Sequence, residues 1–527
     1  MKGEKEMNKT KRIVSTLVLL TLLCALFAVL PAVATETDGN LLTNGILADA
    51  DGDGKPDGWF FRNAPSLMTP TSVGYEPPTG WTENYVDVNC VTNTGIQQVV
   101  KKVEPGQLYR VSALYQTIVP EGTNPTSYPG IWEFIPYYFE NAESSGKAYA
   151  DNYVPVALAA NNSVANPLSF TNSFTSGSDP RRCEYIFRMP ALAESVTLPD
   201  GASIGLLVRI RTSNNSFQVK IADLRLEKTD NWVVNGSFEN GEYGWTQNTN
   251  CYPKTWNNDD SPAKIESTGV KVGSKALKLI KTAKRSASAD NTATTDNHVL
   301  QKVYVDAGKT YRIRFWFNST VNETQPRVGV LKGGASNYYA HYANGNNVSE
   351  NNTKTQNAWR QYTYYFTADN VTTYVEIRLS LWNVAIGTEA WFDGVELTEV
   401  EKEGDIGLYS AIDGAVLAGL PKAGQEVQVR AIRKTGEETE DVTMITCLYK
   451  MVNGDRVLDS MLISVVSDIA RSKQHSGDYL TTAGFVDAKA TFEMPDSLEV
   501  GALYEIKSFI WDSAAGIKPM ADVFGLQ

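Results

Sequence analysis

The densest run of oxygen ligands in the chain is Asp49-Ala50-Asp51-Gly52-Asp53-Gly54-Lys55-Pro56-Asp57. Carboxylates at alternate positions can converge on one hard cation if the chain coils tightly, and Gly52 and Gly54 permit that coil. Asp49, Asp51, Asp53 and Asp57 occupy positions one, three, five and nine of a calcium loop. The twelfth position, where a helix-loop-helix site carries a bidentate Glu, is Phe60, and no helical pattern flanks the segment. Two readings stand: a structural Ca2+ site in a loop of a β-domain, and an acidic solvated turn. Catalytic patterns are poorer. Gly201-Ala202-Ser203-Ile204-Gly205 has the spacing of a nucleophile elbow, but it leads into a strand, and no histidine lies within 35–228. His298, His341 and His475 are the three histidines of the chain, which argues against multi-histidine metal catalysis. No Gly-x-x-x-x-Gly-Lys-Ser/Thr phosphate loop and no Rossmann fingerprint is present. Two acids converging for glycoside hydrolysis have no local motif, so that chemistry is neither indicated nor removed.

The elements that must position these groups read as strands. Tyr311-Arg312-Ile313-Arg314-Phe315-Trp316-Phe317 and Tyr374-Val375-Glu376-Ile377-Arg378-Leu379-Ser380-Leu381-Trp382 alternate with period two and are rich in aromatic and β-branched residues. Gly, Asn, Asp, Ser and Pro clusters separate such runs. The expected fold class is all-β: two jelly-roll β-sandwiches followed by an immunoglobulin-like β-sandwich. A repeat supports the division. Leu41-Leu42-Thr43-Asn44-Gly45-Ile46-Leu47 precedes Gly58-Trp59, and Trp232-Val233-Val234-Asn235-Gly236-Ser237-Phe238-Glu239 precedes Gly244-Trp245. Each copy ends alike, at Ile221-Ala222-Asp223-Leu224-Arg225-Leu226 and at Trp391-Phe392-Asp393-Gly394-Val395-Glu396-Leu397. The boundaries are therefore 35–228, 229–400 and 401–527, after an N-terminal segment 1–34. Trp59 and Trp245 read as core residues at the sandwich edge.

The Asn235-Gly236-Ser237-Phe238-Glu239 opening, Gly244-Trp245, the Tyr311 strand, Trp359 and Phe392-Asp393-Gly394-Val395 resemble carbohydrate-binding modules of the jelly-roll group, families four, nine, sixteen and twenty-two. The likeness covers nearly all of 229–400. It is thinner over 35–228, where Leu47-Ala48 replaces Phe-Glu. The third unit, through Tyr504 to Asp512 and Lys518-Pro519, resembles the immunoglobulin-like closing domains of secreted Gram-positive surface proteins. The resemblance implies a structural calcium that ties the opening strand to the closing one. Glu239 and Asp393 are the matching carboxylates, with Asp223 at the equivalent place in the first copy. The alternative is a surface Glu and a turn-capping Asp.

Alternation assigns faces in the second copy. With Tyr311, Ile313, Phe315 and Phe317 in the core, Arg314 and Trp316 point the other way; with Val375, Ile377, Leu379 and Leu381 in the core, so do Glu376, Arg378 and Trp382. Rings that stack on a pyranose, beside planar polar groups that bond its hydroxyls, suit a sugar. The expected ligand-binding set is Arg314, Trp316, Arg378, Trp382 and Glu376, with Tyr365 and Gln361 from the strand after Trp359. The alternative is that Trp316 and Trp382 pack under loops and the charged residues form a solvated ion-pair ladder. In the first copy Trp81, Trp132, Tyr137 and Tyr138 are placed in longer loops that could rim a groove.

Composition limits the partners. The formal net charge is -12 over 527 residues. Residues 1–34 hold five basic and two acidic side chains, so the rest has 43 basic and 58 acidic, a charge of -15. Such a body is a poor general binder of nucleic acid or anionic lipid. Lys9, Lys11 and Arg12 before the apolar run from Ile13 to Leu30, closed by Pro31-Ala32-Val33-Ala34, read as a cleaved secretory signal peptide, the alternatives being an uncleaved membrane anchor and lipid attachment at Cys24; no later segment has 18 consecutive apolar residues. Cys90, Cys183, Cys251 and Cys447 remain, too few for a disulfide scaffold; Cys90 and Cys183 could pair, and buried free thiols are the plainer reading. The expectation is a secreted, extracellular, non-catalytic protein that binds polysaccharide or cell-wall glycan, with possible association with the cell surface. Against it stands an extracellular structural protein whose jelly rolls are spacers or bind protein.

Overall fold

The computed structural model describes residues 39–526 except 64, 79, 82–83, 89–93, 101–102, 119–129, 140–152, 156–167, 172–180, 190–202, 213–217, 249–250, 293–296, 322–326, 333–337, 343–356, 369–373, 382–383, 401–403, 411–414, 435–441, 467–469, 472–484 and 512–523. The signal-like segment, Cys90, Trp382 and His475 lie outside the described residues. Among those described every regular element is a strand, and no helix is long and apolar enough to cross a membrane. The chain divides into two compact units. One comprises 39–107, 111–180 and 189–228; the other comprises 108–110, 181–188 and 229–526. The third sandwich thus falls in the same unit as the second.

In the second unit, residues 246–399 form two five-stranded antiparallel sheets. One runs Thr246–Gln247, Asn297–Tyr304, Tyr374–Leu381, Arg327–Lys332, Tyr338–Tyr342. The other runs Ala263–Glu266, Ala276–Ile280, Glu389–Glu399, Thr310–Ser319, Arg360–Thr367. Alternation puts one face of each strand inward, and the two faces share a core. Val299, Val375, Ile377 and Leu379 of the first sheet pack with Tyr311, Ile313, Phe315 and Phe392 of the second. Tyr311, Ile313, Phe315 and Phe317 are all 0% exposed, as are Val375, Ile377, Leu379 and Leu381, so the period-two pattern located the core correctly. Phe315 stacks on Tyr362 at 5.6 Å, and Phe317 meets Phe392 edge-on at 5.1 Å. Residues 404–526 add two four-stranded antiparallel sheets around Leu408, Val429, Leu448, Phe492 and Ile506.

The first unit repeats the plan. Phe60–Arg62, Gly95–Val100, Ser203–Thr212, Gly130–Phe139 and Tyr153–Pro155 follow one another in one sheet, with Leu168–Thr171 paired to Gly130–Phe139. Two sequence expectations are corrected here. Trp132, Tyr137 and Tyr138 lie in the strand Gly130–Phe139, not in loops; Pro136 within that run disguises it. Trp81 is buried against Tyr85 rather than rimming a groove. Ser203 opens a ten-residue strand, so the nucleophile-elbow geometry is not formed. Cys183, Cys251 and Cys447 are free and buried, so Cys183 is not half of a disulfide. Burial pushes its thiol far up, away from reactivity.

Both copies of the Asn-Gly motif make the same clasp. Asn235 sits at φ 49 and Asn44 at φ 54, a region Asn tolerates better than most residues. The Asn235 side-chain amide donates to the carbonyls of Gly241 and Tyr243, each at 2.9 Å, and its own backbone carbonyl receives the Trp245 indole at 3.1 Å. In the first copy Asn44 donates to Ala48 and Asp57 at 2.7 and 3.0 Å and receives Trp59 at 3.0 Å. The next residue must be glycine. A Cβ on Gly236 would lie 2.0 Å from the Val395 carbonyl oxygen, and one on Gly45 would lie 2.1 Å from that of Leu224. These approaches seat the opening segment against the closing strand, with Val395 donating to the Gly236 carbonyl and Leu224 to that of Gly45. Gly236→Ala is therefore expected to destabilise its sandwich by about 3 kcal/mol or more, because backbone must move. Gly241→Ala, with φ 65 but open space around it, should cost about 1 kcal/mol. Thermal denaturation of the two variants checks the contrast.

Candidate functional site

The expected ligand set does not form one surface. Arg314 and Trp316 lie on Thr310–Ser319, paired with Arg360–Thr367, which carries Gln361 and Tyr365. Glu376 and Arg378 lie on Tyr374–Leu381, in the opposite sheet. Outward positions of the two strands thus face away from each other, with the core between them. Alternation gives parity along a strand but not which sheet the strand joins.

On the first of these faces two of the four residues, Trp316 and Gln361, are committed within the protein. Trp316 is 9% exposed, and Lys271 lies over its ring at 4.0 Å. A register irregularity between Arg314 and Trp316 places the indole opposite Asp393, close beneath Gly394. Gln361 accepts the backbone N–H of Val416 at 2.8 Å, which commits it to the following sandwich. Arg314 is half-buried, in register with Thr363 and Glu396. Tyr365 pairs in register with Arg312.

The opposite sheet presents a different row. Tyr304, Lys302, Leu300 and His298 face Tyr374, Glu376, Arg378 and Ser380 in register, on the side away from Val299, Val375 and Ile377. One end is closed: His298 and Ser380 are buried, and Asn248 bonds His298 Nδ1 at 3.0 Å. The other end is open. Tyr304 is 59% exposed, and its ring meets that of Tyr374 edge-on at 6.3 Å. The Lys302 ammonium stands 3.8 Å from the Tyr374 ring centre and 5.1 Å from that of Tyr304. Glu376 and Arg378 pair at 3.0 Å, both partly exposed. Gly329 is opposite Arg378 on the next strand, a position where a glycine leaves room for close approach. The sequence reading missed Tyr304, Lys302 and Tyr374. The alternation in Asn297–Tyr304 carried the signal, but only pairing with Tyr374–Leu381 gathers these residues beside Glu376 and Arg378.

Among the described residues the first copy does not carry this row. Matching Gln98 to Gln301 by their shared bonds to the opening segment puts Val99 at the place of Lys302. The register then puts buried Leu207 at Glu376 and Arg209 at Arg378. Only the arginine is kept.

The carboxylates divide into two groups. Asp49, Asp51 and Asp57 offer oxygens that all lie within 4.8 Å of one another. The coil that gathers them is held by its own amides: Gly52 and Gly54 donate to Asp49, and Ala50 donates to Asp57. Asp53 stands apart, accepting from the Lys55 amide and 4.0 Å from its ammonium. In the second copy Glu239 and Asp393 grip one loop from its two ends. Glu239 accepts from the Ser274 and Lys275 amides and the Ser274 hydroxyl; Asp393 accepts from the amides of Lys271, Val272 and Gly394. A Cβ on Gly273 would fall 2.3 Å from Glu239 Oε1, so the loop passes tightly over the carboxylate. Burial pushes the Asp393 carboxyl up to about 6; three amide hydrogen bonds oppose this and the Glu239 charge adds to it. Burial also acts to raise Glu239, but the Ser274 hydroxyl and the amides of Ser274 and Lys275 outweigh it and hold the group below its ordinary value. The loop turns its amides, not its carbonyls, to the two acids, so of this set only the carboxylate oxygens are of the type a hard cation takes. Asp223 instead pairs with Arg225 at 3.1 Å, and no carboxylate stands where the second copy has Glu239.

No family model matches the chain, and no curated protein matches it. Solved structures do. The N-terminal CBM22-1-CBM22-2 tandem domain of Paenibacillus barcinonensis Xyn10C is 11% identical, covering 68% of this chain and 98% of its own, at a TM-score of 0.23. A family 16 carbohydrate-binding module is 19% identical over 32% of this chain and all of its own, at 0.22. An arabinose-bound α-L-arabinofuranosidase, MgGH51, is 14% identical over 32% of this chain and 26% of its own, at 0.23. At these values the likenesses carry no functional argument.

The geometry separates structural from surface aromatics. Trp316→Ala should lower stability by about 3–5 kcal/mol, as for a buried aromatic. Tyr304→Ala, which loses only a cross-strand ring contact, should cost about 1 kcal/mol or less. Denaturant midpoints of both variants measure the difference.

Proposed function

We propose that this is a secreted, non-catalytic glycan-binding protein whose working surface is the open row Tyr304, Lys302, Tyr374, Glu376 and Arg378 of the second sandwich. The observation that carries the reading is the exposed Tyr304 ring at the edge of a sheet face that also holds a partly exposed carboxylate–guanidinium pair. The apolar face of a pyranose stacks on the tyrosine, and its hydroxyls exchange hydrogen bonds with Glu376 and Arg378. The motif resemblance of 229–400 supports the same reading. Glycan at a cell wall or cell surface is the partner in view. Trp382, one residue beyond Leu381, belongs to the proposal by sequence alone.

Native affinity electrophoresis through gels containing soluble polysaccharides tests it. Retardation by at least one glycan is expected, and Tyr304→Ala should weaken it severalfold, since a stacked aromatic ring is worth roughly 0.5–1.5 kcal/mol. Retardation by none of them would sink the reading in favour of a spacer or protein-binding role.

Structural Ca2+ is part of the proposal. Asp49, Asp51 and Asp57 would hold one ion, and Glu239 and Asp393 would hold another in place of some of the loop amides they now accept. Bound calcium supplies positive charge that offsets the clustered carboxylates and stabilises the folded chain. Asp53 and Asp223, each beside its own cation, are the weaker members. Adding millimolar CaCl2 to chelator-treated protein should raise the melting temperature, by about 3 kcal/mol of linkage at one hundred times Kd. Asp393→Asn and Asp51→Asn should each remove part of that shift. An unchanged melting temperature in calcium and in chelator would refute both sites.

A further inference from the structure

We propose that the sugar chain taken by the second sandwich is anionic, with a carboxylate or sulfate ester placed against Lys302. This deepens the preceding reading and rests on it. Glu376 lies directly opposite Lys302 in register, yet its carboxylate turns along its own strand to Arg378 at 3.0 Å. Among the described residues the Lys302 ammonium meets two tyrosine rings and no carboxylate. Those rings fix the ammonium against the sheet without neutralising it, because a cation over a ring quadrupole keeps its charge. The Glu376–Arg378 pair is neutral as a unit, so the open end of the row carries one uncompensated positive charge on an exposed side chain.

The occupied face of Tyr374 matters too. With Lys302 at 3.8 Å, that ring is capped, so Tyr304 is the open ring and the ammonium sits beside it. A sugar on Tyr304 therefore puts its ring substituents within reach of Lys302. A neutral glycan offers the ammonium only hydroxyl acceptors there, whereas an acidic one adds an ion pair. The acidic charge of the chain does not forbid this. At physiological ionic strength the Debye length is roughly 8 Å, so groups farther from the ligand are largely screened and the local row decides.

The full chain is run in native gels containing polygalacturonate, dextran sulfate, neutral dextran or neutral galactan, at about 0.15 M and at about 0.5 M NaCl. Retardation by an anionic glycan, lost or strongly reduced in high salt and absent on the neutral ones, is the expected result. Polygalacturonate against dextran sulfate tells carboxylate from sulfate. Lys302→Gln should weaken that binding roughly threefold to fivefold, the scale of one surface ion pair. Glu376→Gln should tighten it, because Arg378 is then released towards the anion; a merely structural role for Glu376 predicts no such gain. Unchanged melting temperatures show that both variants fold. Retardation on a neutral glycan, unaffected by salt and by Lys302→Gln, would overturn the anionic assignment while leaving glycan binding standing. Retardation on no glycan would overturn both.

Discussion

Each sandwich depends on a contact in which two backbones meet with no side chain between them. Gly236 against the Val395 carbonyl, and Gly45 against that of Leu224, seat the opening segment on the closing strand. Asn235 and Asn44 hold the turn that makes this approach possible, each using both ends of its amide and offering its carbonyl to a tryptophan indole. Buried glutamines complete the join. Gln301 exchanges two bonds with the Val234 backbone, and Gln98 does the same with Thr43, so a side-chain amide replaces a missing strand partner. Asn231 and Asn40 do the equivalent at the start, each accepting from two backbone amides. A buried amide left unpaired costs about 1–3 kcal/mol, so a set of bonds satisfied on every side fixes one register.

That clasp sets where the carboxylates stand. Glu239 follows the Asn235 turn, and Asp393 precedes Gly394 on the closing strand, so joining the chain ends brings two acids to one loop. Trp316 packs beneath that same loop, with Lys271 over its ring. The indole therefore supports the carboxylate loop and is unavailable to a ligand. In the first sandwich the turn persists while the acid is lost, Leu47-Ala48 standing where Phe238-Glu239 does. The Asp49–Asp57 coil occupies the extra residues between the turn and Trp59. The two copies thus share a backbone device and differ in where their acids collect.

Much of this was legible in the sequence, and the remainder has identifiable reasons. The Asn-Gly opening, the Gly-Trp pair and the Asp-Gly ending mark positions where backbone geometry restricts the residue, so they survive as readable motifs. Period-two alternation gave the core faces of Thr310–Ser319 and Tyr374–Leu381 without error. It could not say that these strands lie in opposite sheets, because parity is local and sheet membership is set by long-range pairing. For that reason Arg314 and Trp316 were grouped with Glu376 and Arg378, which face the other way. Gln361 failed differently: a half-buried polar side chain looks ligand-ready until its backbone partner, Val416, is seen. Gln98 and Gln301 were invisible because a glutamine inside an apolar strand carries no motif.

The choice of tyrosine and lysine for the open row is consistent with the same constraint. A strand next to Tyr374–Leu381 places Tyr304 and Lys302 two residues apart, hence on one face, with Glu376 and Arg378 across from them. A ring at the sheet margin keeps one face in water only if its neighbour does not cover it, and Lys302 covers Tyr374 while leaving Tyr304 largely exposed. The first sandwich, with Val99 and buried Leu207 at two of these places, has the scaffold without the row. Closure of the sandwich and the makeup of this surface row are therefore separable in this chain. The clasp is repeated in both copies, and among the described residues this row is formed in one.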